Sequence, residues 1–323
     1  MLLEGCKGVF KSKKSKKLNL RYKDNNIGKN PVDELTELRP MKEFFAGIDS
    51  DGSAFDTMEI KQKECFCPNL IKYFELQTVS RYARETWEFV NLYSKHRGYN
   101  RFIALVKFFE ILSKRKDVIA RNQKMPDISS LKEWINKETK LANPVLEEHV
   151  NKVKDPILEL ALQWSKKVNS DIAEMVYGVP PFPFVKESLD KIVTKADIII
   201  VSQTPIEALT REWKENNIDK YPRAIAGQEY GTKAEHIKFA AKDKYPDNKI
   251  LMIGDAPRDL EAAKTNGVLF YPVNPGHEVA SWERLYKEAL DKFFSGSYEG
   301  DYEKKLVREF MSYMPGEPPW DQI

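Results

Sequence analysis

The sequence predicts an α/β protein with a doubly wound parallel sheet and an inserted all-helical domain. Five short apolar runs rich in β-formers show no polar alternation, as expected of parallel strands that are buried on both faces. Helical patterns separate the last four runs, which gives a βαβ order with right-handed crossovers. About 150 residues with helical periodicity lie between the first run and the second, too many for one crossover helix.

The predicted strands are FFAGI (44–48), DIIIV (197–201), RAIAG (223–227), KILMI (249–253) and VLFYPV (268–273). Helices are predicted in the sheet region over 205–217, 233–244, 258–265 and 281–294, with one more near the end of the chain. In the long intervening segment, the apolar spacing predicts helices over 69–94, 100–115, 129–140 and 144–168. The proline-rich stretch PPFPF (180–184) suits a hinge where this segment ends.

These elements divide the chain into four parts. Residues 41–57 and 185–295 form the sheet domain, and residues 58–184 form a helical cap domain. Residues 1–40 are predicted to be a basic, flexible extension, and residues 296–323 a C-terminal extension. The first 30 residues hold nine Lys and Arg against two acids, with no aromatic or helical pattern among them. We therefore interpret them as a solvated tail and expect no nucleic-acid partner.

The composition is that of a globular protein, with 41% hydrophobic residues and six tryptophans. No apolar run is long enough to span a bilayer and no signal-peptide core is present, so we predict a cytoplasmic protein that does not bind membranes. Three cysteines do not suggest a disulfide framework, and we interpret the Cys65-x-Cys67 pair as incidental. The sequence leaves the oligomeric state open.

Polar residues follow three of the predicted strands. Asp49 and Asp51 follow the first, Ser202 follows the second, and Asp255 follows the fourth with Asp259 four residues later. Because ligand sites in open α/β sheets lie at the carboxyl ends of the strands, we expect these side chains to share one crevice. Carboxylates crowded together repel unless a cation compensates them, and Mg²⁺ prefers oxygen ligands. The set predicts a Mg²⁺ site suited to phosphoryl transfer.

The segments GIDSDG, IIIVSQTP, GTKAEHI and GDAPRD resemble the four motifs of the haloacid dehalogenase-like hydrolase superfamily. The resemblance implies that Asp49 is a nucleophile that forms an aspartyl phosphate. It implies that Asp51 is the general acid and base, with a backbone carbonyl that binds the metal. Ser202 would hydrogen-bond the phosphoryl group, with Thr204 as the alternative.

The third and fourth motifs supply a lysine and two more carboxylates. Lys233 matches the motif lysine, with Lys238 as the alternative because alanine, not the common proline, follows Lys233. The resemblance implies that Asp255 ligates Mg²⁺, together with Asp49 and Asp51, and that Asp259 supports it. By its position and helical character, the long insertion resembles the cap of the branch that is similar to phosphoglycolate phosphatase and beta-phosphoglucomutase.

A basic loop, NLYSKHRGYNRF (91–102), joins two predicted helices of the insertion. Lys95, Arg97 and Arg101 are candidates to bind an anionic substrate when the cap closes. A solvated turn between helices is the alternative interpretation.

The residues together predict a Mg²⁺-dependent phosphatase acting on a small phosphorylated metabolite. The presence of Asp51 argues against dehalogenation, because the halide-displacing enzymes that this chain resembles lack the second aspartate. One alternative is a phosphomutase that acts on a sugar phosphate. Another is a non-catalytic binding protein on the same fold, against which the intact carboxylates Asp49, Asp51 and Asp255 argue.

Overall fold

A computed structural model describes residues 31–322, so the predicted tail over residues 1–30 lies outside the described residues. The described chain contains a five-stranded parallel sheet with strand order β3-β2-β1-β4-β5. The strands are β1 (Phe44–Ile48), β2 (Ala196–Val201), β3 (Ala224–Ala226), β4 (Ile250–Gly254) and β5 (Leu269–Pro272). Each of the five predicted runs forms one of these strands, and the predicted fold class is confirmed.

The sheet is buried on both faces. Ile48, Ile200 and Ile253 pack in an apolar core on one face, whereas Phe45 and Met252 pack in a second core on the other. Successive side chains of a strand point to opposite faces, so each strand supplies both cores. This explains why the strand sequences are continuously apolar.

A short helix, α1 (Pro31–Thr36), precedes the sheet. Its Leu35 is fully buried in one of the sheet cores, and Lys244 Nζ donates a hydrogen bond to the Leu35 carbonyl at 2.9 Å. The predicted flexible extension over 1–40 is therefore wrong for residues 31–36, because an apolar side chain anchors them to the sheet.

Eight helices lie between β1 and the end of the long insertion. They are α2 (Thr57–Ile60), α3 (Cys67–Tyr73), α4 (Ser80–Asn91), α5 (Arg101–Leu112), α6 (Lys116–Ala120), α7 (Ser129–Lys137), α8 (Asn143–Val153) and α9 (Pro156–Met175). A π-helical turn, Lys61–Phe66, joins α2 to α3. We call the segment from α2 to α9 the helical insert.

Two of the predicted helices are each divided in two. The predicted helix over 69–94 breaks at Glu75, and the one over 144–168 breaks at Lys154; both residues adopt positive φ angles, 54° and 52°. A new helix then starts at Pro156, where the Asp155 side chain accepts hydrogen bonds from two backbone N–H groups. The apolar periodicity continues across both breaks, so it could not reveal them.

The helical insert has its own apolar core, which contains the fully buried Trp87, Trp134 and Trp164. The segments that lead into and out of the helical insert meet beside the sheet, where Phe182 N donates to the Ala54 carbonyl at 3.0 Å. The predicted domain boundaries stay a prediction. Cys65 and Cys67 are buried free thiols.

The remaining helices belong to the sheet region. They are α10 (Val185–Lys195), α11 (Ile206–Glu215), α12 (Lys233–Ala240), α13 (Pro257–Asn266), α14 (Glu278–Arg284), α15 (Leu290–Ser295) and α16 (Asp301–Ser312). A π-helical turn, Leu285–Ala289, joins α14 to α15. None of the described helices has the length and apolar character required to cross a membrane.

The predicted C-terminal extension contacts both regions. Phe310 of α16 and the following Met314 are buried in a sheet core. Trp320 then packs against the helical insert, with its ring 5.7 Å from the ring of Phe89 and 4.3 Å from the Arg115 guanidinium. The end of the chain therefore connects the sheet to the helical insert.

Candidate active site

The strand order brings the predicted site residues that follow the strands to one edge of the sheet. β1 lies between β2 and β4, so Asp49 is flanked by the chain segments that carry Ser202 and Asp255. The backbone N–H of Asp49 donates to the Ile253 carbonyl at 2.9 Å, which continues the pairing of β1 with β4. The carboxyl edge of the sheet thus forms a fixed frame for these side chains.

Three carboxylates meet at this edge. One oxygen from each of Asp49, Asp255 and Asp259 lies within 4.8 Å of the other two, and all three residues are buried. Asp259 stands in the first turn of α13, and its Oδ2 accepts a hydrogen bond from Ala256 N at 3.0 Å. We call these three residues the carboxylate cluster.

Lys233 lies against two members of the cluster. Its Nζ is 2.9 Å from Asp49 Oδ2 and 2.5 Å from Asp259 Oδ1. The side chains of Thr232 and Glu235 form a capping box, which makes Lys233 the first residue of α12. Lys238, the alternative lysine, is exposed in the last turn of the same helix.

Burial and charge oppose each other in this part of the site. Burial raises the pKa of Asp49 and of Asp259, while the neighbouring Lys233 ammonium lowers both. Burial by itself would lower the pKa of Lys233, but the carboxylates of Asp259 and Asp49 outweigh it and raise that pKa. The lysine is thus held in its charged form by the carboxylates it contacts.

The third carboxylate binds an arginine from the helical insert. Arg97 Nε and Nη2 lie 2.7 and 2.6 Å from the same oxygen, Asp255 Oδ2. The other oxygen, Oδ1, is buried and has no hydrogen-bond partner among the described residues. Arg97 Nη1 donates to the Leu92 carbonyl at 2.9 Å. Of the three predicted substrate-binding residues, Arg97 is thus brought to the cluster.

Lys95 and Arg101 are not brought to the cluster. Arg101 Nη1 donates to Ser165 Oγ at 2.9 Å and to Asn169 Oδ1 at 2.7 Å, inside the helical insert. Lys95 lies against Gly316 near the C terminus. A Cβ atom added to Gly316 would be 3.0 Å from Lys95 Nζ. Their predicted contact with substrate is therefore not supported, because packing within the insert and against the C-terminal segment directs both side chains elsewhere.

Asp51 faces a different environment from Asp49. Its Oδ1 accepts a hydrogen bond from Thr57 Oγ1 at 2.6 Å, and its Oδ2 forms an ion pair with Lys61 Nζ at 2.9 Å. The Asp51 carboxylate is not a member of the carboxylate cluster. The two aspartates of the GIDSDG segment are thus held by separate partners.

Ser202 is buried directly after β2. Its Oγ accepts a hydrogen bond from Thr204 N at 3.2 Å, and its own N–H donates to the Ala226 carbonyl at 3.0 Å. The hydrogen bond from Thr204 N to Ser202 Oγ closes a tight turn after the strand. The hydroxyl hydrogen of Ser202 stays available for another acceptor, because within residues 31–322 Oγ acts only as an acceptor.

Sequence reasoning did not single out Thr57, Lys61 or Glu212. Thr57 and Lys61 are four residues apart and contact the same carboxylate, so their helical spacing was a usable signal. Glu212 Oε2 accepts a hydrogen bond from Ser50 Oγ at 2.8 Å, and no local pattern identifies it. Burial raises the pKa of Glu212 to about 7, although the nearby Lys61 lowers it.

The carboxylate cluster fits a hard divalent cation. All its candidate ligand atoms are carboxylate oxygens, the donors that Mg²⁺ prefers. Asp255 Oδ1 is buried without a hydrogen-bond partner in the described part of the chain, which is costly for a charged group unless a ligand satisfies it. Lys233 and Arg97 together contribute two positive charges against three carboxylates. The site therefore keeps net negative charge, which a cation would neutralise.

One comparison with known proteins identifies a family for this chain. The profile of a family described as haloacid dehalogenase-like hydrolase matches residues 111–273, just over half of the 323-residue chain. The matched segment includes Ser202, Lys233, Asp255 and Asp259 but not Asp49. No curated protein gave a significant match.

Several solved structures are similar to the chain. A haloacid dehalogenase-like family hydrolase from Streptococcus pneumoniae is 13% identical, with 74% of this chain and 90% of that chain covered and a TM-score of 0.41. A haloacid dehalogenase-like family hydrolase from Xanthomonas campestris is 11% identical, with coverage of 79% and 97% and a TM-score of 0.37. CbbY from Rhodobacter sphaeroides, solved with phosphate, is 15% identical, with coverage of 72% and 87% and a TM-score of 0.35.

The family assignment made from the four motifs is confirmed by the profile match, and with it the assignment as a hydrolase. The chain is a member of the haloacid dehalogenase-like hydrolase family.

Proposed function

We propose that this hydrolase is a Mg²⁺-dependent phosphatase that acts on a small phosphorylated metabolite through an aspartyl phosphate. The observation that carries this proposal is the buried carboxylate cluster, with Lys233 bridging Asp49 and Asp259. A phosphoryl group needs positive charge around its oxygens and a nucleophile in line with its phosphorus. In this proposal Lys233 and a cation held by the cluster would supply the positive charge, and Asp49 would supply the nucleophile.

The proposed first step uses Asp49 as the nucleophile. A carboxylate oxygen of Asp49 attacks the phosphorus, the bond from phosphorus to the ester oxygen breaks, and the leaving oxygen receives a proton from the Asp51 carboxyl. Lys233 and the hydroxyl of Ser202 would bind phosphoryl oxygens. Ligands from Asp49, Asp255, Asp259 and the Asp51 carbonyl would hold Mg²⁺, which when bound neutralises charge on the phosphoryl oxygens.

The proposed second step regenerates Asp49. Water attacks the phosphorus of the aspartyl phosphate, Asp51 accepts the proton of that water, and the bond from phosphorus to Asp49 breaks to release phosphate. The separate partners of the two aspartates support this division of roles. Lys233 holds Asp49 toward the cluster, whereas Thr57 and Lys61 hold Asp51 apart from it.

The expectation of a small substrate is supported by the helical insert, since Arg97 reaches the cluster from the insert. Helices that close over a site limit the size of what binds and exclude bulk water.

The experiment is a screen of phosphorylated metabolites with Mg²⁺, measuring released phosphate. We expect turnover that EDTA abolishes and that added Mg²⁺ restores. Asp49→Asn should eliminate phosphate release, whereas Asp56→Asn, which alters a nearby carboxylate outside the cluster, should keep most of it. Asp51→Asn should slow both steps and allow a phosphorylated enzyme to be trapped.

Three results would contradict the proposal. Normal turnover by Asp49→Asn would remove the assigned nucleophile. Conversion of a sugar phosphate to its isomer with little phosphate released would favour the phosphomutase. Absence of turnover with every compound would favour a binding protein.

A further inference from the structure

Arg97 is a buried cation that the helical insert supplies to the carboxylate cluster. It lies in the loop between α4 and α5 and is 3% exposed. We infer that Arg97 is a positioning residue: it fixes the Asp255 carboxylate so that Oδ1 is left for the cation, and it thereby makes divalent-cation binding depend on the docked helical insert. This inference rests on the metal site of the proposed function.

The geometry restricts the Asp255 carboxylate strongly. Two N–H groups of one guanidinium converge on Oδ2, at 2.7 and 2.6 Å. Rotation of the carboxylate would break both charge-assisted hydrogen bonds, which are the stronger kind. Since Oδ2 is occupied, Oδ1 is the oxygen that Asp255 can offer to a cation, and it has no other hydrogen-bond partner in the described chain.

The backbone on the sheet side makes room for this ion pair. Gly52 has a φ of +82°, and a Cβ atom there would lie 2.8 Å from Arg97 Nη2 and 2.8 Å from Asp255 Oδ2. A side chain at this position would therefore push the two partners apart. Gly52, which ends the GIDSDG segment, therefore serves two purposes: it adopts the positive φ of the turn, and it leaves space for the ion pair.

The loop that carries Arg97 is itself tightly held. Arg97 N donates to the Ser94 carbonyl at 2.9 Å, and His96 N donates to Ser94 Oγ at 3.1 Å. Gly98 has a φ of +79° and lies so close to Ala256 that its own Cβ would be 3.0 Å from the Ala256 Cβ. Ala256 directly follows Asp255, so the loop contacts the same segment through both backbone and side chain.

The test is calorimetric titration with Mg²⁺ alone, on wild type, Arg97→Gln, Arg97→Lys and Arg101→Gln. Arg101→Gln is the matched control, because Arg101 is a partly buried arginine four residues away whose hydrogen bonds to Ser165 and Asn169 lie within the insert. We expect Arg97→Gln to weaken Mg²⁺ binding about 10-fold or more, the usual effect of losing a partner that orients a ligand. Arg97→Lys should weaken it less, and Arg101→Gln should stay within about 2-fold.

The direction of the change in Mg²⁺ affinity distinguishes a positioning role of Arg97 from a purely electrostatic one. Removing a positive charge near a cation site would by itself tighten Mg²⁺ binding, so weaker binding by Arg97→Gln must come from lost orientation. Circular dichroism and thermal unfolding in EDTA establish that each variant is folded. Arg97→Lys keeps the charge and remains informative if Arg97→Gln does not fold.

Unchanged or tighter Mg²⁺ binding by folded Arg97 variants overturns the inference. If such variants also show a raised KM at saturating Mg²⁺, then Arg97 binds substrate directly. Absence of Mg²⁺ binding by the wild type overturns the metal site of the proposed function, and this inference with it. A wild type that binds Mg²⁺ while folded variants bind it equally well overturns this inference alone.

Discussion

Lys233 and Arg97 are both cations that contact the carboxylate cluster, but they come from different regions of the molecule. Lys233 begins a helix of the sheet region and bridges Asp49 and Asp259. Arg97 comes from a loop of the helical insert and binds Asp255. Lys233 lies within the segment that matches the family profile, and Arg97 lies outside it.

The difference shows two ways to bring a cation to the same cluster. Lys233 is placed by local structure, since the capping box of Thr232 and Glu235 fixes the start of α12 next to the sheet edge. Arg97 is placed by packing between regions, because its loop must contact Gly52 and Ala256. The position of Lys233 depends on the sheet region alone, whereas the position of Arg97 requires the helical insert to be docked.

The largest expected effect is from removing the sheet cation. Lys233→Met should lower hydrolysis at least about 10³-fold, because phosphoryl charge then lacks a fixed partner. It should also lower the free energy of unfolding by about 3–5 kcal/mol, since buried carboxylates lose their counter-charge. Phosphate release and urea unfolding would measure these effects. Lys238→Met is the matched control on the same helix, and a larger loss in that variant would make Lys238 the site lysine.

The next effect concerns the contact between the sheet and the insert at Gly52. Gly52→Ala combines backbone strain with a clash against Arg97 and Asp255, so the free energy of unfolding should fall by about 3 kcal/mol or more. Gly178→Ala is the control, because Gly178 also has a positive φ, +65°, but nothing within 4 Å of an added Cβ. It should cost about 1 kcal/mol. Equal losses in urea unfolding would mean that the contact at Gly52 is unimportant.

A pH-dependent effect is expected at Glu212, between the sheet and the first turns of the insert. Burial raises its pKa from the ordinary 4.5 to about 7 in the folded state. Below pH 4.5 both folded and unfolded chains carry the proton; between pH 4.5 and about 7 only the folded chain keeps it, so stability falls as the pH rises. Above pH 7, the resulting loss in the free energy of unfolding is at most about 3 kcal/mol.

Glu212→Gln tests this by removing the titration. Its free energy of unfolding relative to wild type should rise between pH 4.5 and pH 8, measured in urea with EDTA. Glu207→Gln, exposed on the same helix, controls for the loss of a charge. A constant difference between Glu212→Gln and wild type across this pH range would show that Glu212 does not titrate as expected.

The smallest effect is expected at Trp320, which connects the end of the chain to the insert. Trp320→Ala removes one aromatic and one cation–π contact and should lower the free energy of unfolding by about 1–2 kcal/mol. Hydrogen exchange should increase in α4 and around Arg115, which the ring contacts, and stay unchanged in the sheet. Equal increases in both regions would contradict a local role for Trp320.

Most of the sheet could be predicted from the sequence. Each strand is a short apolar run buried on both faces, so its composition alone identified it. Asp49, Ser202 and Asp255 directly follow strands, and parallel strands end at one edge, so their proximity followed from the strand order. The breaks at Glu75 and Lys154 could not be predicted, because apolar spacing identifies the buried face of a helix but does not show whether the helix is continuous.

The amino-acid sequence by itself determined which residues stand at the carboxyl ends of the strands, because strand composition and chain order are local properties. Only the tertiary structure decided that Arg97 reaches Asp255 while Arg101, four residues later, binds Ser165 and Asn169 within the insert. Both arginines have the same intrinsic chemistry. Their partners differ because helix packing points one side chain toward the sheet edge and the other into the insert.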